Sequence, residues 1–266
     1  MATIEELLHR RTDLSTFLVH LTRDDEESGA KARQNLLDIL EYNRIEARKV
    51  YGMAKNLIEQ DPGQYRDLVK TQKVVSFTET PLEHAWMMCH KMDGRQRQMQ
   101  FNGYGLAFTK AFGRRWGVNP VWYLDQTPGH GVPGGRKWLT RAIHELLEEA
   151  VDRGETYDAE ESEIPPFLDE PIFRLTPFLE QMGGTKEFWW EREWRYVGDF
   201  VFQPKKLVVA FVPEAEQESF REDLAEVNPS YTDGKRKLPL VDCDWSLERM
   251  ITAIAGVTED VGPFTG

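Results

Sequence analysis

The apolar positions fall into short β-like runs separated by stretches with helical spacing. Phe17-Leu18-Val19-His20-Leu21-Thr22 is an apolar run with β-branched members, closed by an acidic turn from Asp24 to Glu27, and predicts a buried first strand. Ala30, Leu36, Leu37 and Leu40 recur at helical spacing and predict a helix over 29–41. A short helix is expected over 2–10, and another near 62–70 starting at Pro62. Val74–Thr78 reads as a second strand, followed by a helix from Pro81 through Leu82, Ala85, Trp86 and Met88. Tyr104–Thr109 and Pro120–Leu124 read as the third and fourth strands, with a short helix from Lys110 to Trp116 between them. Leu139, Ile143, Leu146, Leu147 and Ala150 predict a helix over 137–152, and a further helix is expected near 173–182. Leu207–Val212 is the clearest strand, then come a helix over 214–225, an edge strand at Pro239–Asp242 and a last helix over 245–255. The expected fold class is α+β, one domain over 1–266, with helical insertions and an acidic, exposed insertion at 153–170.

One segment stands out in this pattern. Glu191-Arg192-Glu193-Trp194-Arg195 leads into the mostly apolar run Tyr196–Phe202. Successive side chains of a strand point to opposite faces, so a strand beginning here sends Glu191 and Glu193 to one side, with Arg195 in the same parity. Adjacent carboxylates are costly unless a cation, a proton or a substrate lies between them. Trp189, Trp190 and Trp194 suggest a partly desolvated wall. The alternative is a structural ion-pair cluster, since Glu-Arg-Glu-x-Arg runs are common on solvated faces.

Composition narrows the function classes. A net charge of −12 disfavours general nucleic-acid binding, leaving Arg114-Arg115 and Lys235-Arg236-Lys237 as local basic patches. Two cysteines, Cys89 and Cys243, lie far apart in sequence with no Cys-x-x-Cys pair, which argues against a disulfide scaffold or zinc ribbon and suits a cytoplasmic protein. The N-terminus lacks a signal-peptide core, and no apolar run approaches the roughly 20 residues that span a membrane. His84, Cys89 and His90 have poor spacing for a metal on one helical face, and no metal is expected. The glycine-rich stretch 128–135 lacks a P-loop ending and reads as a loop able to act as a lid.

Polar groups also gather at strand ends. His20 and Thr22 lie two apart and either orient a polar ligand or bond to local backbone. Ser76-Phe77-Thr78-Glu79-Thr80-Pro81 crowds a strand end, with Thr80 before Pro81 also fitting a helix N-cap. Tyr104 either stacks on a planar ring or sits in the core, and Gly105 permits close approach by a ligand or another backbone.

The ordered series His20-Leu21-Thr22, Asn35-Leu36-Leu37-Asp38-Ile39-Leu40, Ser76–Pro81, Tyr104–Phe108 and Glu193-Trp194-Arg195 resembles the AbiGi-type abortive-infection family of phage-defence proteins over roughly 17–212. The opening, with its His-x-Thr strand and following helix, and the late Glu also resemble the DarT-like ADP-ribosyltransferases, although the toxins' Ser-Thr-Ser motif is missing and the middle third carries insertions. That second resemblance implies small mixed or antiparallel sheets forming a cleft for NAD. It implies that His20 and Thr22 contact the cofactor, Tyr104 stacks on nicotinamide, Glu193 is the catalytic carboxylate and Glu191 assists it. Thr78, Glu79 and Arg195 complete the candidate binding set.

The function expected is an NAD-consuming ADP-ribosyltransferase-like effector, or toxin, transferring ADP-ribose to a protein or nucleic-acid acceptor. Two alternatives stay open. One is a metal-dependent nuclease or hydrolase built on Glu79, Glu191 and Glu193. The other is a non-catalytic antitoxin that binds a toxin. A cognate antitoxin or a phage trigger is an expected partner.

Overall fold

The computed structural model describes residues 14–25, 28–90, 101–125, 138–155, 167–168, 170–182, 191–232 and 237–256. The helix expected over 2–10, the glycine-rich loop, the central part of the acidic insertion, Trp189, Trp190 and most of the 235–237 basic patch lie outside the described residues. In chain order the strands are β1 (Phe17–Leu21), β2 (Arg44–Ile45), β3 (Lys49–Val50), β4 (Lys73–Thr78), β5 (Gly105–Thr109), β6 (Asn119–Pro120), β7 (Trp122–Asp125), β8 (Leu179–Met182), β9 (Glu193–Val197), β10 (Phe200–Val201), β11 (Leu207–Phe211) and β12 (Leu240–Val241). Helices interleave with these small sheets, and the fold is α+β. The chain divides into two compact units, and it passes from the second to the first between Ser76 and Phe77, inside β4.

The first unit comprises Met1–Arg44, Phe77–Gly117 and Val201–Gly266. Its strands run in the order β12, β11, β5, β1 and the end of β4. β5 lies antiparallel between β1 and β11, and β12 closes the edge parallel to β11. The apolar alternation of these strands packs Leu18, Leu106, Phe108, Val209 and Phe211 into the interior. The helix Ala32–Tyr42 buries Leu36, Leu37 and Leu40, the same stripe that helical spacing marks in the sequence. Its first turn is held by Asp24 Oδ1, which accepts the Ala32 N–H at 2.9 Å. It ends at Asn43, whose φ of 50° is the left-handed conformation that stops a helix. Gly105 permits a close backbone approach: a Cβ there would come within 2.6 Å of the His20 carbonyl oxygen across the β1–β5 pair.

The second unit comprises Ile45–Ser76 and Val118–Phe200. β3 and β9 flank the start of β4, and β6 lies beside β9, while β7 and β8 form a separate parallel pair. The amphipathic helix Trp138–Glu155 packs Ile143, Leu147 and Ala150 against Ile58, Leu68 and Phe173. A buried amide braces this core. Gln72 donates from Nε2 to the Phe173 carbonyl at 2.7 Å and accepts the Thr176 hydroxyl at 2.7 Å.

Three elements differ from the sequence expectation. The helix expected from Pro62 starts at Arg66, because Asp61 Oδ1 accepts the N–H groups of Gly63 and Gln64 and folds that stretch into a turn; a separate helix, Lys55–Gln60, precedes it. The helix expected near 173–182 stops at Leu175. Pro177 has no N–H to continue it, so the chain makes a 3-10 turn and then becomes β8. The fourth strand is broken into β6 and β7 at Val121, whose N–H donates to the Glu193 carbonyl at 2.8 Å. Among the described residues, no helix is long and apolar enough to cross a membrane.

Gly52 gives a direct test of the second unit. Its φ is +87°, and an added Cβ would overlap the Thr176 carbonyl oxygen. Gly198 has a φ of +82° with nothing within 4 Å of such a Cβ. Gly52→Ala should therefore lower stability in urea by more than about 1–3 kcal/mol, the usual cost of such backbone strain, whereas Gly198→Ala should stay within that range. Equal effects of the two substitutions would contradict this packing.

Candidate functional site

β9 opens with Glu193, and Arg195 follows two residues later on the same face. The Arg195 guanidinium grips the Glu193 carboxylate with two bonds, Nε to Oε1 at 2.8 Å and Nη2 to Oε2 at 2.9 Å. Nη2 also reaches Glu180 Oε2 on β8 at 3.0 Å, and Nη1 donates to the Pro177 carbonyl at 2.8 Å. The guanidinium carbon lies 5.1 Å from the centre of the Tyr51 ring. Each oxygen of Glu193 takes a second donor. The Ser76 hydroxyl donates to Oε1 at 2.7 Å, and the Tyr123 hydroxyl donates to Oε2 at 3.1 Å.

Exposure grades across this cluster. The Arg195 side chain is 2% exposed, Glu193 17% and Glu180 21%. Burial alone would weaken the proton affinity of Arg195, but the two carboxylates outweigh it and hold the guanidinium more firmly charged than usual. Burial first, then the negative charge of Glu193, pushes the Tyr123 hydroxyl up, so it stays a donor. Two carboxylates share one guanidinium here, leaving one negative charge in excess among the three.

Glu191 does not share the strand. It lies in a 3-10 turn before β9, and Arg192 at φ 44° breaks the extended alternation between it and Glu193. The parity expected for Glu191 with Glu193 therefore fails, while the parity of Glu193 with Arg195 holds. Glu191 still acts at a distance, through its charge at Tyr123.

The other residues singled out from the sequence belong to the first unit. Thr22 is buried, and its hydroxyl donates to the Ala32 carbonyl at 2.9 Å and lies 3.4 Å from the Tyr104 carbonyl. His20 is half-buried and meets Phe77 edge-on, with ring centres 5.9 Å apart. Thr78 and Thr80 are hydrogen-bonded through their hydroxyls at 2.6 Å. The 3-10 turn Leu82–His84 has no side-chain cap, so the N-cap expected of Thr80 is not made. Glu79 is buried and receives Lys110 Nζ at 2.8 Å. Tyr104 is buried and donates its hydroxyl to Glu216 at 2.5 Å; burial, and then that bond, raise its pKa. Within the unit, its ring is a core aromatic.

Sequence reading missed Tyr123, Glu180 and Tyr51 and gave Ser76 no role. Tyr123 and Glu180 face each other in the parallel β7–β8 register. Pairing between distant strands is not encoded in local spacing, and β8 was expected to be helical.

A family with the description "Putative abortive phage resistance protein AbiGi, antitoxin" matches residues 54–228. No curated protein matches the chain. Among solved structures, "Thermus sp. 2.9 DarT in complex with carba-NAD+" matches with 14% identity, covering 86% of this chain and 97% of that one, at a TM-score of 0.32.

Removing Arg195 should leave Glu193 and Glu180 without their shared cation. Arg195→Met is expected to destabilise the protein by about 3–5 kcal/mol, read by urea unfolding, and Tyr123→Phe by about 1 kcal/mol. An Arg195→Met protein as stable as the wild type would show that the cluster does not hold this unit together.

Proposed function

The chain belongs to the AbiGi family of abortive phage resistance proteins, and from that premise we propose that it is an NAD-consuming, ADP-ribosyltransferase-like effector of phage defence with Glu193 as its key carboxylate. The observation that carries this reading is the excess negative charge of the Glu193–Arg195–Glu180 cluster, combined with the fixed orientation of Glu193. The nicotinamide ring of NAD is cationic. When its bond to ribose breaks, the electron pair leaves with neutral nicotinamide and positive charge develops on the sugar, as in glycoside cleavage. A carboxylate held by four donors needs no reorganisation as that charge appears. The acceptor's nucleophile then bonds to the sugar carbon and gives up its proton to a base, a role open to Glu191.

A second reading is favoured by the family's own description, which carries the word antitoxin. There the protein binds and silences a toxin. A divalent-metal nuclease is less well supported, because an ion would have to displace Lys110 from Glu79 or Arg195 from Glu193.

Incubation with labelled NAD decides between these. Nicotinamide release and a labelled acceptor are expected from the wild type, falling by about 10²–10³ in Glu193→Gln. Absence of NAD turnover with cell lysate as acceptor source, together with phage protection intact in Glu193→Gln, would reject the enzyme and leave the toxin-binding reading.

A further inference from the structure

A second cluster lies in the first unit. The short helix Trp86–Cys89 ends at His90, which adopts an extended backbone. After β12 the chain turns at Asp242-Cys243-Asp244. Asp242 fixes this turn, one carboxylate oxygen accepting the Asp244 N–H at 2.9 Å and the other the Glu214 N–H at 2.6 Å. Two dipeptides, Cys89-His90 and Cys243-Asp244, thus meet from positions about 150 residues apart. His90 Nε2 is 2.5 Å from Asp244 Oδ1, and Cys243 Sγ is 3.8 Å from the same oxygen. The nitrogen, sulfur and oxygen all lie within 4.8 Å of one another. Cys89, a half-buried free thiol, interacts electrostatically with Cys243 and is the second sulfur at this place.

We propose that His90, Cys243 and Asp244 form a binding site for a zinc-like divalent cation, with the neighbouring thiol of Cys89 as the fourth ligand drawn in when the ion binds. The donors already gathered are one sulfur, one imidazole and one carboxylate, and with the Cys89 sulfur they make the set of four that suits a borderline-soft ion in tetrahedral coordination. Zinc bond lengths place neighbouring ligand atoms about 3.3–3.8 Å apart. The Cys243–Asp244 separation of 3.8 Å already lies at that spacing. The His90–Asp244 pair has to open by under about 1 Å, which is easy because these side chains are 51% and 58% exposed. Cys243, 4% exposed, forms the floor of the site, and the exposed pair leaves the ion a path from solvent.

Without an ion, an exposed His–Asp pair is worth little, so stability alone does not explain why the buried thiol of Cys243 lies against it. Once bound, the ion would tie the segment after β4 to the turn after β12 within the first unit.

The test uses the full chain, reduced and stripped of metal, titrated with Co²⁺ and then with Zn²⁺ in competition with a chromophoric chelator. One equivalent of Co²⁺ should bind with a thiolate-to-cobalt charge-transfer band, and Zn²⁺ should displace it. His90→Ala and Asp244→Asn should each weaken binding by at least about tenfold. Cys243→Ser should remove most of the charge-transfer band. Because Cys243 is buried, the two exposed substitutions decide the question if that variant fails to fold. Cobalt bound without a charge-transfer band, no binding to protein with two titratable thiols, or unchanged affinity in both exposed variants would overturn the proposal. NAD turnover does not enter this result, so it stands or falls separately from the reading of Glu193.

Discussion

A buried guanidinium organises the second unit. Taking a charge out of water costs several kcal/mol unless its donors are met, and an unmet one is tolerated poorly. Arg195 meets them with Glu193, Glu180 and the Pro177 carbonyl. Each partner lies on a different element: the start of β9, the parallel strand β8 and the 3-10 turn before it. Satisfying one side chain thus constrains where three pieces of backbone end. The same constraint orients Glu193, whose remaining lone pairs take Ser76 and Tyr123. In the proposed function, the carboxylate that pairs with the buried guanidinium is also the one offered for chemistry. The balance between these roles rests on charge count, since one guanidinium does not neutralise two carboxylates.

The first unit uses its polar residues differently. Thr22, Thr78, Thr80 and Tyr104 spend their hydroxyls on neighbours inside the unit, and Glu79 on Lys110. Such internal pairing is what buried polar groups require. Those residues are paired inside the unit, whereas among the described residues the Glu193 cluster sets two carboxylates against one guanidinium. For that reason the functional proposal rests on the second unit alone.

Much of the fold was legible because it depends on local spacing. Leu36, Leu37 and Leu40 mark a helix, and Leu207–Phe211 marks a strand. The pairing of Glu193 with Arg195 followed from a period of two. What stayed hidden depends on backbone choices or long-range pairing. Arg192 in the left-handed region removed Glu191 from the strand, and Pro177 turned an expected helix into β8. Without β8 there was no way to place Glu180, and without the β7–β8 pair none to place Tyr123. Cys89 and Cys243 looked unrelated because sequence distance says nothing about which turns meet.

The central claim is that the Glu193 cluster uses its excess negative charge to favour a cationic ligand. Calorimetric titration with NAD⁺ and with NADH separates charge from shape, because the two differ chiefly in the charge of the nicotinamide ring. A unit charge at about 4 Å is worth about 4 kcal/mol at an effective dielectric of about 20, ample for a measurable difference. The account predicts that NAD⁺ binds at least about tenfold tighter than NADH, about 1.4 kcal/mol, and that Glu193→Gln abolishes the preference. Equal affinity for the two, or a preference that survives Glu193→Gln, would contradict it.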